Sequence, residues 1–166
     1  MSADIIFRRR SIRRFAPGQI PEEALRTLLG AGMSAPSSND RQPWEFVLVT
    51  ERAHLDRLAE AHPHGKMLFE AAAAIAVCGL PGISPDYWVQ DCSAATENIL
   101  VAAAALGLGS VWLGCHPRQE RVAAVREILG IPASIGVLSL VALGRPAEAK
   151  EPRDRYDEAR VHRETW

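Results

Sequence analysis

Apolar positions at helical spacing alternate along this 166-residue chain with short, uninterrupted apolar runs. The first such segment, Ala3 to Arg10, reads as a helix. A second helix is predicted after Ile20, with Pro21 at its first position and Glu22 and Glu23 at the positive end of its dipole. Its Ala24, Leu25, Leu28 and Leu29 share one face. Glu45 to Thr50 (EFVLVT) is short and rich in β-branched residues, the pattern of a strand, and Ala74 to Gly79 reads as another. Between them, Leu55 and Leu58 place a helix over Ala53 to Ala61, and a shorter one is expected near Lys66 to Ala71. Tyr87 to Leu106 runs without a breaker and is apolar around most of its circumference from Ala94 onward. Such a helix needs cover on every side, which in a small domain predicts that a second copy of the chain supplies part of it. Ser110 to Leu113 follows as a strand, Gln119 to Leu129 as an amphipathic helix closed by Gly130, and Ile135 to Leu143 as the clearest strand of all. After Gly144 the pattern disappears. The tail is polar, with Tyr156, Val161 and Trp166 widely spaced, as in an extended arm laid on a surface or a frayed terminus.

Composition narrows the classes. The length suits one domain, expected to span 1–166 with its arm from about 145–166. A formal net charge of −1 and a pI near 6.5 give no global attraction to nucleic acid or to an anionic membrane, so any basic site has to be local. Cys78, Cys92 and Cys115 form no CxxC pair; neither a disulfide framework nor a zinc site is suggested, and a cytoplasmic location is expected. The N-terminus does not have the order of a signal peptide, and the apolar runs are too short or too rich in Ala and Gly for a membrane span.

Candidate chemistry sits in three segments. RRRSIRRF, Arg8 to Phe15, puts five arginines in seven positions; guanidinium forks beside a hydroxyl suit a phosphate monoester, and a solvated basic face is the other reading. APSSNDRQPW, Ala35 to Trp44, gathers hydroxyl and amide groups before a strand, or forms an ordinary Asx/Ser turn. PRDRY adds two arginines in the tail. No GxGxxG loop, P-loop, HExxH or GxSxG is present; GLGSVWLG resembles the first only loosely, and His62 with His64 beside Pro63 reads as a loop, not a metal site.

Taken in order, RRSIRRF, PSSNDRQPWEFVLV, KMLFEAAAAIAVC, the Ala-rich helix ending in ALGLGSVWLG, LVALGRP and PRDRYDEARVH resemble the nitroreductase family of FMN-dependent enzymes over essentially the whole chain. The resemblance implies an α+β fold, a central mixed or antiparallel sheet flanked by helices, in an intertwined homodimer with an extended C-terminal arm. It implies that Arg9, Arg10, Ser11 and Arg13 grip the FMN phosphate and ribityl chain, that Arg153 and Arg155 close over the phosphate, and that Arg8 and Arg14 face solvent. Pro36, Ser37, Ser38 and either Asn39 or Asp40 would reach the flavin from the partner subunit, with Gln42 on the flavin's own subunit. Lys66 would lie beside the pyrimidine edge, unless it is simply a solubilising lysine. Leu113, Gly114 and Cys115 would be the backbone that meets the hydride-accepting nitrogen, Cys115 serving through its main chain.

The implied activity is transfer of electrons from NADH or NADPH through FMN to a small acceptor such as a nitroaromatic or quinone, by ping-pong kinetics and without a side-chain acid, base or metal. Dehydrogenation, dehalogenation and flavin fragmentation use the same scaffold. Only PGISPDYWVQ stands between Leu80 and Asp91, where longer members roof the pocket, so Tyr87, Trp88, Trp112 and His116 are candidates for the acceptor site, the core or an interface. Two readings from other classes compete: a non-catalytic flavin-binding protein of the same fold, and a small module that binds polyanions through RRRSIRRF.

Overall fold

A computed structural model describes residues 4–166 of the chain. It opens with α1 (Asp4–Arg8), so the start predicted at Ala3 lies outside the described residues, and Arg9 and Arg10 leave the helix after Arg9 donates a last N–H to the Ile5 carbonyl at 3.0 Å. A two-residue strand, β1 (Phe15–Ala16), precedes α2 (Glu22–Met33). Then come β2 (Trp44–Val49), α3 (Arg52–Ala61), β3 (Ala73–Gly79), α4 (Trp88–Ala105), β4 (Gly109–Gly114), α5 (Gln119–Leu129) and β5 (Gly136–Pro146). Pro21 stands one residue earlier than expected, capping α2 from outside, and the segment expected as a short helix after Lys66 is a 3-10 turn, Lys66–Phe69.

Every strand pair is antiparallel. β3 is buried along its whole length between β2 and β5, and β4 lies on the opposite side of β5. The sheet divides two cores. Ala74, Ala76 and Cys78 of β3 face Leu55, Leu58, Val122 and Val125 of α3 and α5; the alternate residues Ala73, Ile75 and Val77 face Leu28 of α2 and Ile99 of α4. This period of two is what makes a central strand read as continuously apolar.

One irregularity matters for function. Val77 pairs with Ser139 but Cys78 pairs with Val137, so β5 carries an extra residue, Leu138, at that end of the sheet. The bulge inverts the facing of β5 beyond it: Val137 and Leu140 belong to the same α3/α5 core although they are three positions apart, a spacing that in a regular strand points to opposite faces. Buried Ser139 at the bulge meets the Thr96 hydroxyl at 3.1 Å.

β5 also runs three residues further than predicted. Arg145 and Pro146 pair with Ala16 and Phe15, and this edge pairing uses main-chain groups that no side-chain periodicity announces. The tail beyond is extended and exposed, broken by a 3-10 turn at Glu158–Arg160. Among the described residues, no helix is long and apolar enough to cross a membrane.

Candidate functional site

The two arginine segments, far apart in sequence, meet. Arg9, Arg10, Arg153 and Arg155 line one cavity of about 500 Å³ with Ile6, Phe7, Asp154 and Tyr156. Four arginines and one acidic residue therefore line it, a composition suited to an anion of more than one charge. Outside it, Arg9 Nε pairs with Glu97 of α4 at 3.2 Å, which orients one fork against the helix.

The approach of the tail is built from main-chain contacts. Arg153 donates its N–H to the Phe7 carbonyl at 3.3 Å, and the Arg10 guanidinium donates to the Glu151 carbonyl. Glu148 accepts the Arg13 N–H at 2.6 Å and pairs with Lys150 at 3.2 Å, while Lys150 donates to the Ser11 carbonyl at 2.6 Å. The Arg13 N–H and Lys150 hold the Glu148 carboxyl below its ordinary range. Ser11 also bridges to Ser110 in parallel, and Ile12 donates to the Ser110 carbonyl at 2.9 Å, so the segment is fixed to the outer edge of β4. The Arg13 side chain is exposed; Arg8 and Arg14 are too, Arg8 pairing with Asp4 at 3.6 Å.

Four residues along the same edge, about 13 Å at strand spacing, lies Gly114. Cys115 donates its N–H to Leu138 at 3.0 Å, which makes 115 and 138 the hydrogen-bonded pair of the ladder. Gly114, opposite Ser139, must then turn its own N–H and C=O away from β5, as Ser110 does. The space where a Cβ would stand at Gly114 is open. Its carbonyl is not free: His62 Nε2 lies at 3.1 Å and Arg121 Nη1 at 3.0 Å. The other ring nitrogen of His62 accepts the His64 N–H at 3.2 Å, which leaves the ring proton on Nε2, donated to Gly114. Burial, offset in part by that bond, lowers the His62 pKa, and Arg121 and His64 lower it further. Leu113 and Cys115 are buried; burial pushes the Cys115 thiol up to about 12, so it stays protonated and offers the site only its backbone.

The remaining candidates lie elsewhere. Lys66 is exposed at the head of its 3-10 turn, four residues after His62; Arg52 secures that turn through the carbonyls of Leu68 and Ala71. Pro36 to Gln42 do not line the arginine cavity. Their loop is held to α4 instead: Ser38 donates its N–H to buried Asp91 at 3.0 Å, whose second oxygen accepts the Ser84 hydroxyl at 3.2 Å. Within it, Gln42 donates its N–H to Ser37 Oγ at 2.9 Å and its amide to Asp40 at 3.0 Å. Asn39, Asp40 and Gln42 all have positive φ, 51°, 53° and 49°, a cluster of left-handed residues of the kind that accumulates in binding loops. Pro36, Asn39, Asp40 and Gln42 are exposed. Trp88 stacks edge-on against His116, ring centroids 4.9 Å apart; Tyr87 is exposed, and Trp112 packs partly against the α2/α4 core. No three His, Cys, Asp or Glu side chains gather as a metal set among the described residues.

Known proteins share this architecture. A model of the nitroreductase family matches residues 6–78 and 63–145. The chain belongs to the nitroreductase family. A relative from Archaeoglobus fulgidus, provisionally named NADH dehydrogenase/NAD(P)H nitroreductase, is 51% identical over 98% of this chain and 97% of its own length. Among solved structures, an FMN-dependent nitroreductase from Clostridium difficile superposes with a TM-score of 0.92 at 29% identity, covering 98% of each chain. A Desulfovibrio desulfuricans protein, provisionally named a nitroreductase and solved in complex with FMN, gives 0.83 at 30% identity over 98% of this chain and 96% of its own. As a member of this family, the chain has the expected α+β architecture, an antiparallel sheet flanked by helices. His62 and Arg121 were not foreseen as part of the site; only the folded chain brings them to one carbonyl.

Proposed function

We propose that this nitroreductase-family chain is an FMN-dependent oxidoreductase that takes electrons from NADH or NADPH and passes them, by ping-pong kinetics, to a small acceptor such as a nitroaromatic or a quinone. The observation that carries this reading is the convergence of Arg9, Arg10, Arg153 and Arg155 on one cavity in which Asp154 is the one acidic lining residue. These residues fit FMN by the chemistry of their donors, and the open space at Gly114 fits the close approach of a planar ring. FMN, when bound, supplies the two-electron chemistry, receiving hydride from a nicotinamide and returning electrons to the acceptor.

The chain's own residues then bind and orient. Arg9, Arg10, Arg153 and Arg155, with Ser11 and Arg13, hold the phosphate end; Leu113, Gly114 and Cys115 present main chain to the ring. Lys66 stabilises negative charge at the pyrimidine edge. Pro36, Ser37, Ser38 and Asn39 or Asp40 reach the ring of a second copy, while Gln42 serves its own. A homodimer is further supported by the half-buried Ala94, Val101, Ala102 and Ala104 on α4 and by exposed Phe7, Met33 and Leu106. Three reduced, buried cysteines suit the cytoplasm.

The test is the visible absorption of the purified protein after loading with excess FMN and desalting. Wild type should keep about one flavin per chain. Arg9→Ala and Arg155→Ala should each bind about 10- to 100-fold more weakly, since a charge-assisted hydrogen bond contributes about 1.5–3 kcal/mol. The loaded wild type should give parallel double-reciprocal lines. A wild type that emerges colourless overturns the FMN reading and favours the polyanion module.

A further inference from the structure

The Gly114 turn is held in an unusual way for a glycine. Its neighbouring space is open and it has no side chain to fix it, yet its carbonyl accepts from two side chains that come from different elements, His62 at the end of α3 and Arg121 in α5. The next amide is tied to Leu138, the extra residue of the β5 bulge. The peptide plane after Gly114 is thus clamped on both sides, and the plane before it carries the outward N–H. Both side chains are themselves constrained: His62 is buried with its second nitrogen engaged, and Arg121 is half-buried.

We propose that His62 and Arg121 are positioning residues that aim the Gly114 N–H at the flavin ring, a role that rests on the FMN reading above. A donor fixed before the cofactor arrives needs no reorganisation when charge develops on the ring, and that pre-alignment is where backbone donors have their effect. Neither residue touches the cofactor. A carbonyl has two lone pairs, and the two donors on them, with the Cys115 N–H bonded to Leu138, fix the peptide after Gly114 from both of its ends. His62 acts as a neutral donor, so the pair does not set two cations side by side.

The experiment uses the full-length protein loaded with FMN, and reads the midpoint potential of the bound flavin against a reference dye, its visible spectrum, and its affinity. The variants are His62→Leu and Arg121→Met, which delete a donor, and His62→Gln, which keeps one. Unfolding of the FMN-free proteins is followed in parallel. In the deleting variants the potential should move towards that of free FMN and the fine structure of the flavin band should weaken, while FMN affinity falls less than about threefold, because the phosphate grip is untouched. His62→Gln should restore the wild-type potential and spectrum. His62→Leu with Arg121→Met should move the potential little further than either alone, since both act on one carbonyl.

Unchanged potential and spectrum in Arg121→Met and His62→Leu, with only the stability of the FMN-free protein lowered, would overturn the positioning role and leave a structural one. If His62→Leu fails to fold, Arg121→Met and His62→Gln decide: a wild-type potential in Arg121→Met overturns the proposal. A wild type that binds no FMN defeats the underlying reading, and is distinguished at once by the absence of any flavin spectrum.

Discussion

The His62 ring also reports on its surroundings through acid. In the folded chain its proton affinity is lowered, chiefly by burial, with Arg121 and His64 adding to it, whereas in the unfolded chain it returns to the ordinary value near 6.5. As the pH falls from 7, the unfolded chain therefore takes up a proton that the folded chain refuses. Stability from this residue is complete above about 6.5, declines through the window between that value and the lower folded one, and levels off below it. Urea titrations of the FMN-free protein from pH 8 to pH 5 should show this decline in wild type and a flatter profile in His62→Gln; superimposable profiles would mean that the ring is not held neutral. Nothing in the sequence points to this residue. HPH reads as a loop, the histidine caps α3, and its partner carbonyl is 52 positions away. The arginines are a different case, because their number in a chain of near-neutral charge marks them, although the cavity that unites Arg9 with Arg155 exists only once α1 and the tail have met, and the ion pair to Glu97 only once α1 lies on α4.

Elements were legible where side-chain periodicity carries them. β2, β3, β4, β5 and the five helices all sit within a few residues of their expected bounds, since all of them but α1 bury an apolar stripe or run that water penalises when exposed. β1 was invisible: two residues hold no period, and Phe15–Ala16 is a strand only because Arg145 and Pro146 pass beside it. The bulge at Leu138 was equally hidden, as IGVLSLVAL reads as one continuous strand. The docking of α4 depends on another feature that composition does not reveal. Its first residue, Trp88, lies flat over two glycines on adjacent strands, Gly79 of β3 and Gly136 of β5. A Cβ at Gly79 would stand 2.1 Å from the indole, and one at Gly136 2.7 Å. Such distances cannot be accommodated without displacing the ring and with it the edge contact to His116. Gly79→Ala should therefore destabilise the fold by about 1–3 kcal/mol, the usual range for overpacking, read as a lower urea midpoint with an unchanged slope; an unaltered midpoint would show that the indole moves aside freely.

At the scale of the molecule, the two halves of the candidate site sit on the same long helix without meeting. Asp91 in the first turn of α4 holds the Ser38 loop, and Glu97, six residues on and about 9 Å along the axis, holds Arg9. Six residues turn a helix by about 240°, so the loop and the arginines lie on different faces, and the arginine cavity has no wall from Pro36 to Gln42. In the homodimer proposed above, a site that needs both Ser38 and the arginines would take them from two chains. This makes a prediction that no single-chain site can satisfy. Take one variant with a damaged phosphate grip, Arg9→Ala with Arg155→Ala, and another with a blocked loop, Ser38→Trp; each alone should be inactive. In a mixed dimer one site collects both lesions and the other collects neither. If the two variants are mixed in equal amounts and allowed to exchange subunits, about half the dimers are mixed and half of their sites are intact, so about one quarter of wild-type activity should return. The recovery should follow the rate of subunit exchange and fail in a mixture that is kept from exchanging. Activity that never rises above the sum of the two variants, with exchange verified by a tag on one of them, would place the whole site within one chain and remove the reason for the left-handed loop to be presented outward on α4.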